Sequence, residues 1–165
     1  MESADLSLRP PRHRVSRTAI WFWTVRAVLG WLVLTAVQVA WLLLDDGDRG
    51  PHVVAFTVTA VLAVAHVAVM PWWRYKVHRW ETTADAVYTQ SGWLRQEWRI
   101  APISRIQTVD SERGPLEQLF GLVNVTVTTA SAAGPLRVHG LGRDTARRLV
   151  DELTARTEAT TGDAT

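Results

Sequence analysis

The chain contains no cysteine, which excludes a disulfide framework, a thiolate metal site and a cysteine nucleophile. That absence fits a reducing compartment. A large excess of charge of one sign is also lacking. The formal net charge is +2, too small to point to nucleic acid as a partner. No glycine-rich phosphate loop is present, and the carboxylates are scattered without the spacing of a metal centre. Ser104 and Ser111 have no His–acid pair beside them in sequence. The expectation is therefore a protein that is not an enzyme and has no metal and no cofactor. One more absence says most: Ala27–Leu44 and Val53–Trp73 contain no Asp, Glu, Lys or Arg.

A spanning helix needs about 20 apolar residues, and only a helix satisfies its own backbone hydrogen bonds in lipid. Both runs meet that requirement, and a short acidic loop joins them. The first run ends in Trp41-Leu42-Leu43-Leu44 and carries no small-residue cleavage site. It therefore reads as a retained span rather than a signal peptide. Arg9, Arg12, Arg14 and Arg17 precede the first span, whereas Arg74, Lys76 and Arg79 follow the second; Asp45, Asp46 and Asp48 lie between. By the positive-inside rule both basic flanks belong in the cytoplasm. The chain reads as multi-pass in a bacterial inner membrane with both termini cytoplasmic.

Arg26 falls at the headgroup boundary, because Ala27–Leu44 alone covers about 27 Å of the hydrocarbon layer. Trp21 and Trp23 belong to the inner aromatic belt beside it, Trp41 to the outer interface, and Trp72-Trp73 to the inner one again. Pro71 is expected to end or bend the second helix. Small residues four apart, Ala36 and Ala40 against Ala55, Thr59 and Ala63, suggest how the helices pack. Gln38 and His66 are the strongly polar residues at depth. They fit either a proton or ion path or an interhelical hydrogen bond of His66 to Thr35 or Gln38.

From Val77 the period changes from helical to alternating. Trp80–Thr83, Ala86–Thr89, Trp93–Ile100, Ile103–Asp110, Leu122–Thr129 and Leu136–His139 read as strands. Leu116–Phe120 reads as a helical turn after Gly114-Pro115. Ala146, Leu149, Val150 and Leu153 give the spacing of a final amphipathic helix, with Asp144 as N-cap. His78 and His139 are expected to face solvent. The organisation is a disordered basic tail 1–18, spans 19–44 and 53–73 around an outer loop 45–52, a soluble domain 74–156 and a disordered tail 157–165. The fold class is thus a membrane α-helical hairpin plus a small α+β domain.

Two segments carry a family resemblance: Ile100-Ala101-Pro102-Ile103-Ser104-Arg105-Ile106-Gln107-Thr108-Val109-Asp110, then Gly114-Pro115-Leu116-Glu117-Gln118-Leu119-Phe120-Gly121-Leu122. Together with the Gly140-Leu141 step, the last helix and two spans ahead of the domain, the chain over roughly 18–155 resembles the bacterial pleckstrin-homology-like membrane proteins, the YdbS-like group. Gln118 departs from the pattern, where a basic residue precedes Leu-Phe-Gly. The resemblance implies a bent antiparallel β-barrel capped by the C-terminal helix but little chemistry, and the expected role is binding rather than catalysis. That role is a scaffold subunit for a second membrane protein, such as a relative with several such domains, in envelope homeostasis or antimicrobial resistance. In eukaryotic relatives of the fold a basic pocket between the first strands takes phosphoinositides; the matching turn Thr82-Thr83-Ala84-Asp85-Ala86 has no Lys or Arg.

Three groups of candidate residues follow. Ser104, Arg105 and Gln107 with Gly114, Pro115, Phe120 and Gly121 form either a partner-binding motif or internal ties. In the second case Arg105 pairs with Asp110, Glu112 or a carbonyl, and Gln107 ties its strand to the Gly114–Gly121 loop. Arg14, Arg17, Trp21, Trp23, Arg26, Trp72, Trp73, Arg74, Lys76 and Arg79 form the membrane interface. Gln38 and His66 are the intramembrane polar pair. Membrane lipids are partners on any reading, and docking of the domain on anionic lipid is the alternative to the scaffold role.

Overall fold

The computed structural model describes residues 10–131 and 134–162, the side chains of 160–162 excepted. Two helices, α1 (Thr18–Leu44) and α2 (Gly50–Val77), form the hairpin. Both are long and apolar enough to span a membrane, and their outward Leu and Val side chains are exposed, as lipid-facing surface would be. Pro71 does not end α2. The helix continues to Val77, which is buried, and Tyr75 packs against the core of the following domain. That packing compensates for the hydrogen bond a proline cannot donate.

The small-residue packing expected of the hairpin is only half realised. Ala55 and Ala63 are half-buried and Thr59 is buried, but Ala36 and Ala40 are exposed. The face that α1 turns inward carries Trp31, Thr35 and Gln38 instead. The contacts are a ladder of polar rungs. Trp31 Nε1 donates to His66 Nδ1 (3.0 Å), Gln38 Nε2 to Thr59 Oγ1 (2.6 Å), and His52 Nε2 to Asp45 Oδ2 (2.9 Å). Along α1 and its C-cap the rungs advance 31, 38, 45 while on α2 they retreat 66, 59, 52. A seven-residue step is close to two helical turns, so the three rungs share one seam. In lipid, where burying apolar surface gives no driving force, such bonds and close packing are what hold helices together. His66 therefore has an interhelical partner, but it is Trp31 and not Thr35 or Gln38.

The domain consists of two sheets and a helix. Strands β1 (His13–Arg14), β2 (Arg79–Thr82), β3 (Ala86–Gly92) and β4 (Gln96–Pro102) form one antiparallel sheet in that order. Strands β5 (Ile106–Glu112), β6 (Leu122–Thr129) and β7 (Leu136–Gly142) form the second. A 3-10 turn over Ile103–Arg105 carries the chain from one sheet to the other, so β5 starts at Ile106, three residues later than expected. A short helix α3 (Pro115–Leu119) links β5 to β6, and α4 (Arg143–Gly162) closes the barrel with Ala146, Leu149 and Leu153 buried. Helix α4 starts one residue ahead of Asp144 and extends past the expected end at 156, correcting the disordered tail as far as 162. Residues 163–165 lie outside the described residues.

The N-terminal tail is corrected in the same way. Residues 1–9 lie outside the described residues, but from Pro10 the chain forms a strap across the domain. His13 and Arg14 pair with Trp80 and Arg79, and the Arg12 guanidinium reaches Glu81 at 3.4 Å. Val15, Ala19, Phe22 and Trp23 then enter the same buried cluster as Val87, Val125, Val138 and Leu149. The barrel therefore straddles the hairpin in sequence: its first strand precedes α1 and the rest follows α2.

Gly140 makes that closure possible. Strand β7 carries an extra residue opposite Val123–Val125, and there Gly140 has φ +73°. Its N–H is accepted by Asn124 Oδ1 (3.0 Å) and its carbonyl accepts from Ser16 N–H (2.9 Å). A Cβ at Gly140 would stand 3.1 Å from the Ala19 Cβ. Gly140→Ala should therefore lower stability by about 2–4 kcal/mol, combining left-handed strain with overpacking. Gly134→Ala, at φ +78° with open space around it among the described residues, should lose only the strain part, about 1–2 kcal/mol. Thermal unfolding of the full-length protein in detergent, followed by circular dichroism, checks the difference.

Candidate functional site

Residues 104–107 lie at the sheet-to-sheet crossing, with side chains outside. Ser104, Arg105 and Gln107 are exposed, and among the described residues the Arg105 and Gln107 side chains have no hydrogen bond or ion pair. The internal ties considered for them are not formed. Asp110 instead accepts from Thr108 Oγ1 (3.0 Å). Gln107 is the residue skipped in the β5–β6 register, between Ile106↔Thr129 and Thr108↔Thr128. A bulge of this kind, on an edge strand, aims a side chain outward and interrupts further pairing. The rest of the motif is structural. Gly114 precedes α3 with Pro115 in its first turn, Gly121 takes φ +65° to leave it, and Phe120 meets Phe22 edge-on at 6.2 Å. Arg143 supplies a guanidinium to the Gln118 carbonyl (3.2 Å).

The interface residues divide into two sets. Trp21, Trp72 and Trp73 are exposed, as are Arg14, Arg17, Arg26 and Lys76. Trp23 is not in the belt: it is 3 % exposed, clasped between the Arg74 guanidinium (4.9 Å from the ring) and the His78 ring (5.1 Å). Arg14 lies 5.6 Å over the Tyr75 ring, and Arg79 hydrogen-bonds the Lys76 carbonyl. His78 is buried and His139 half-buried, correcting the expectation that both face solvent. The His78 Nδ1 donates to the Arg74 carbonyl (2.8 Å), which fixes the tautomer. Burial and the neighbouring Arg74 charge depress the His78 pKa to about 4, and burial with Arg137 and Arg74 nearby depresses that of His139 as well.

A third feature escaped the sequence reading. Trp93 and Leu94, expected in a strand, form the tip of the β3–β4 hairpin. Gly92 makes that turn with φ +110°, where any Cβ would collide with the Arg95 carbonyl. The Trp73 indole donates to the Trp93 carbonyl (2.8 Å), and the Trp93 ring lies 5.8 Å from His66. Because His66 is two helical turns from the Trp72–Trp73 pair, the tip reaches beside the spanning part of α2. Leu94 is 83 % exposed there. The available signal was a Trp-Leu pair directly after a glycine, placing apolar side chains on a turn.

A spanning hairpin that carries a four-plus-three-stranded barrel closed by a C-terminal helix defines a membrane protein with a PH-like domain. The chain belongs to the bacterial PH domain family, whose model matches residues 18–157. It is similar to the UPF0699 transmembrane protein YdbS of Bacillus subtilis (strain 168), with 25 % identity over 156 residues covering 93 % of this chain and 97 % of that one. No solved structure matches.

Burial of His78 sets a pH dependence. In the unfolded chain His78 titrates near 6.5, in the folded one near 4. The unfolded state therefore binds more protons below pH 6.5, and stability is lost as pH falls from there towards 4. The loss traceable to His78 should reach up to about 3 kcal/mol. His78→Asn keeps a donor near the Nδ1 position without the titration, so its unfolding midpoint should fall much less between pH 7 and 4.5 than that of the parent.

Proposed function

We propose that this chain is a non-catalytic subunit of a bacterial inner-membrane assembly, with both termini cytoplasmic, whose PH-like domain binds a second membrane protein. The observation that carries the reading is the exposed bulge at Gln107, with Arg105 beside it and neither side chain bonded to a described residue. Arginine on a rigid, outward-aimed edge suits a protein interface, where arginine is enriched among the residues that dominate affinity. The basic flanks of both spans support the cytoplasmic side. A relative with several PH-like domains would offer matching sheet edges in the same membrane.

A second reading rests on a different observation. Exposed Trp93 and Leu94 lie beside α2, with Trp72 and Trp73 nearby, in a row suited to the membrane interface. On this reading the domain docks on anionic lipid and senses it.

Crosslinking and detergent pull-down of the tagged full-length protein from its native membrane separates the two. One stoichiometric membrane protein is expected. Arg105→Glu should reduce its recovery about tenfold or more while leaving the unfolding midpoint unchanged to within about 0.5 kcal/mol. Recovery of only the chain itself and anionic lipid would refute the scaffold role in favour of lipid docking.

A further inference from the structure

At the domain end of the hairpin, α1 and α2 enclose a cleft of about 410 Å³. Arg26, Gly30 and Leu34 line it from α1, and His66, Met70 and Arg74 from α2. Positions four apart stack along a helix face, so the cleft runs about 12 Å along the helices from the two arginines to Leu34 and His66. Its far part is apolar apart from His66, whose Nδ1 is engaged by Trp31. Its base holds two guanidiniums, and among the described residues no carboxylate lines it. Neither guanidinium has a hydrogen bond or ion pair to a described residue; Arg74 is stacked on Trp23, and its buried Nε has no partner. Gly30 leaves one wall bare, because a Cβ there would meet nothing within 4 Å.

The level of the cleft narrows the ligand. Arg26 precedes the uncharged stretch of α1, and Arg74 directly follows the exposed pair Trp72-Trp73. The two cations therefore stand at headgroup depth, with the apolar part above them in the hydrocarbon. A ligand that fits must carry its negative charge at the interface and an alkyl chain directly above. We propose that this cleft binds one anionic phospholipid, its phosphate held by Arg26 and Arg74 and one acyl chain lying past Gly30 towards Leu34. Guanidinium forks match phosphate oxygens in geometry as well as charge, and among the described residues no anion pairs with either of them. The inference is independent of the protein partner proposed above, since it concerns the hairpin and not the β5 edge.

The test uses the full-length protein in neutral detergent micelles doped with phosphatidylglycerol or with phosphatidylcholine, and native mass spectrometry to count retained lipids. The parent should keep one phosphatidylglycerol per chain and no phosphatidylcholine. Removing one phosphate-binding guanidinium in Arg26→Gln should weaken retention about tenfold or more. Gly30→Leu, which fills the bare wall, should do the same, whereas Val33→Leu on the exposed face should not. Arg26→Gln disturbs no described packing contact and decides alone if Gly30→Leu lowers the unfolding midpoint. Equal retention of both lipids, or parent-like retention by Arg26→Gln, would overturn the proposal. So would displacement of the lipid by an equal concentration of inorganic phosphate, which would assign the arginines to a free anion.

Discussion

The structure depends on the burial of the first turns of α1 in the domain. Ala19 and Trp23 fill the space beneath Gly140, and Phe22 meets Phe120. A helix that entered the membrane with a wet, charged first turn would leave the barrel open along β7. With Trp23 in place, the same helix is a core element at one end and a spanning element at the other. Its indole is large enough that the burial alone is worth a few kcal/mol. Arg74 and His78 gather around it for that reason. Burial of Trp23 also dehydrates His78, so the histidine stays neutral and its Nδ1–H serves the Arg74 carbonyl in the last turn of α2.

The hairpin meets a different constraint. Within lipid its two helices have no hydrophobic reason to associate, and the ladder from Trp31–His66 to Asp45–His52 supplies the missing specificity. The outermost rung is reinforced outside the bilayer. The Gly47 N–H and His52 both bond Asp45 and hold its carboxyl below the usual carboxylate range, while the Trp41 ring covers His52 at 4.0 Å between centroids. This arrangement fixes the rotation of each helix about its axis, and the cleft at the other end of the hairpin inherits its shape from that rotation.

Local patterns in the sequence revealed the hairpin, the order of the strands, the final helix and the family. Uncharged runs, β-branched alternation and an amphipathic spacing each reflect a constraint felt within a few residues. What escaped notice is non-local. A two-residue strand such as β1 has no period of its own, and it exists only because β2 offers an edge far along the chain. Trp23 has the composition of an interfacial tryptophan; its burial is decided by β7 and α2. Ala36 and Ala40 have the right spacing for a helix contact, yet rotation of α1 was set by where Trp31 and Gln38 find partners. For the candidate residues, motif and exposure agree at Arg105 and Gln107, while the arginine pair of the cleft comes from two different helices and has no signature in either.

The straddled arrangement of the barrel has a consequence for biosynthesis. The strap and the first turns of α1 leave the ribosome first, and their place in the core is completed only when β7 emerges. In the interval the hairpin must insert with both of its ends on one side of the bilayer. A chain in which only one of the two spans inserted would carry Val15, Ala19 and Trp23 across the membrane from Gly140, and its barrel would keep an unfilled apolar mouth. Such a chain is a ready substrate for proteolysis, because exposed apolar core and unpaired edges are what quality-control proteases and chaperones encounter. Folding of the domain thus proofreads the insertion of both spans of the membrane segment that interrupts it.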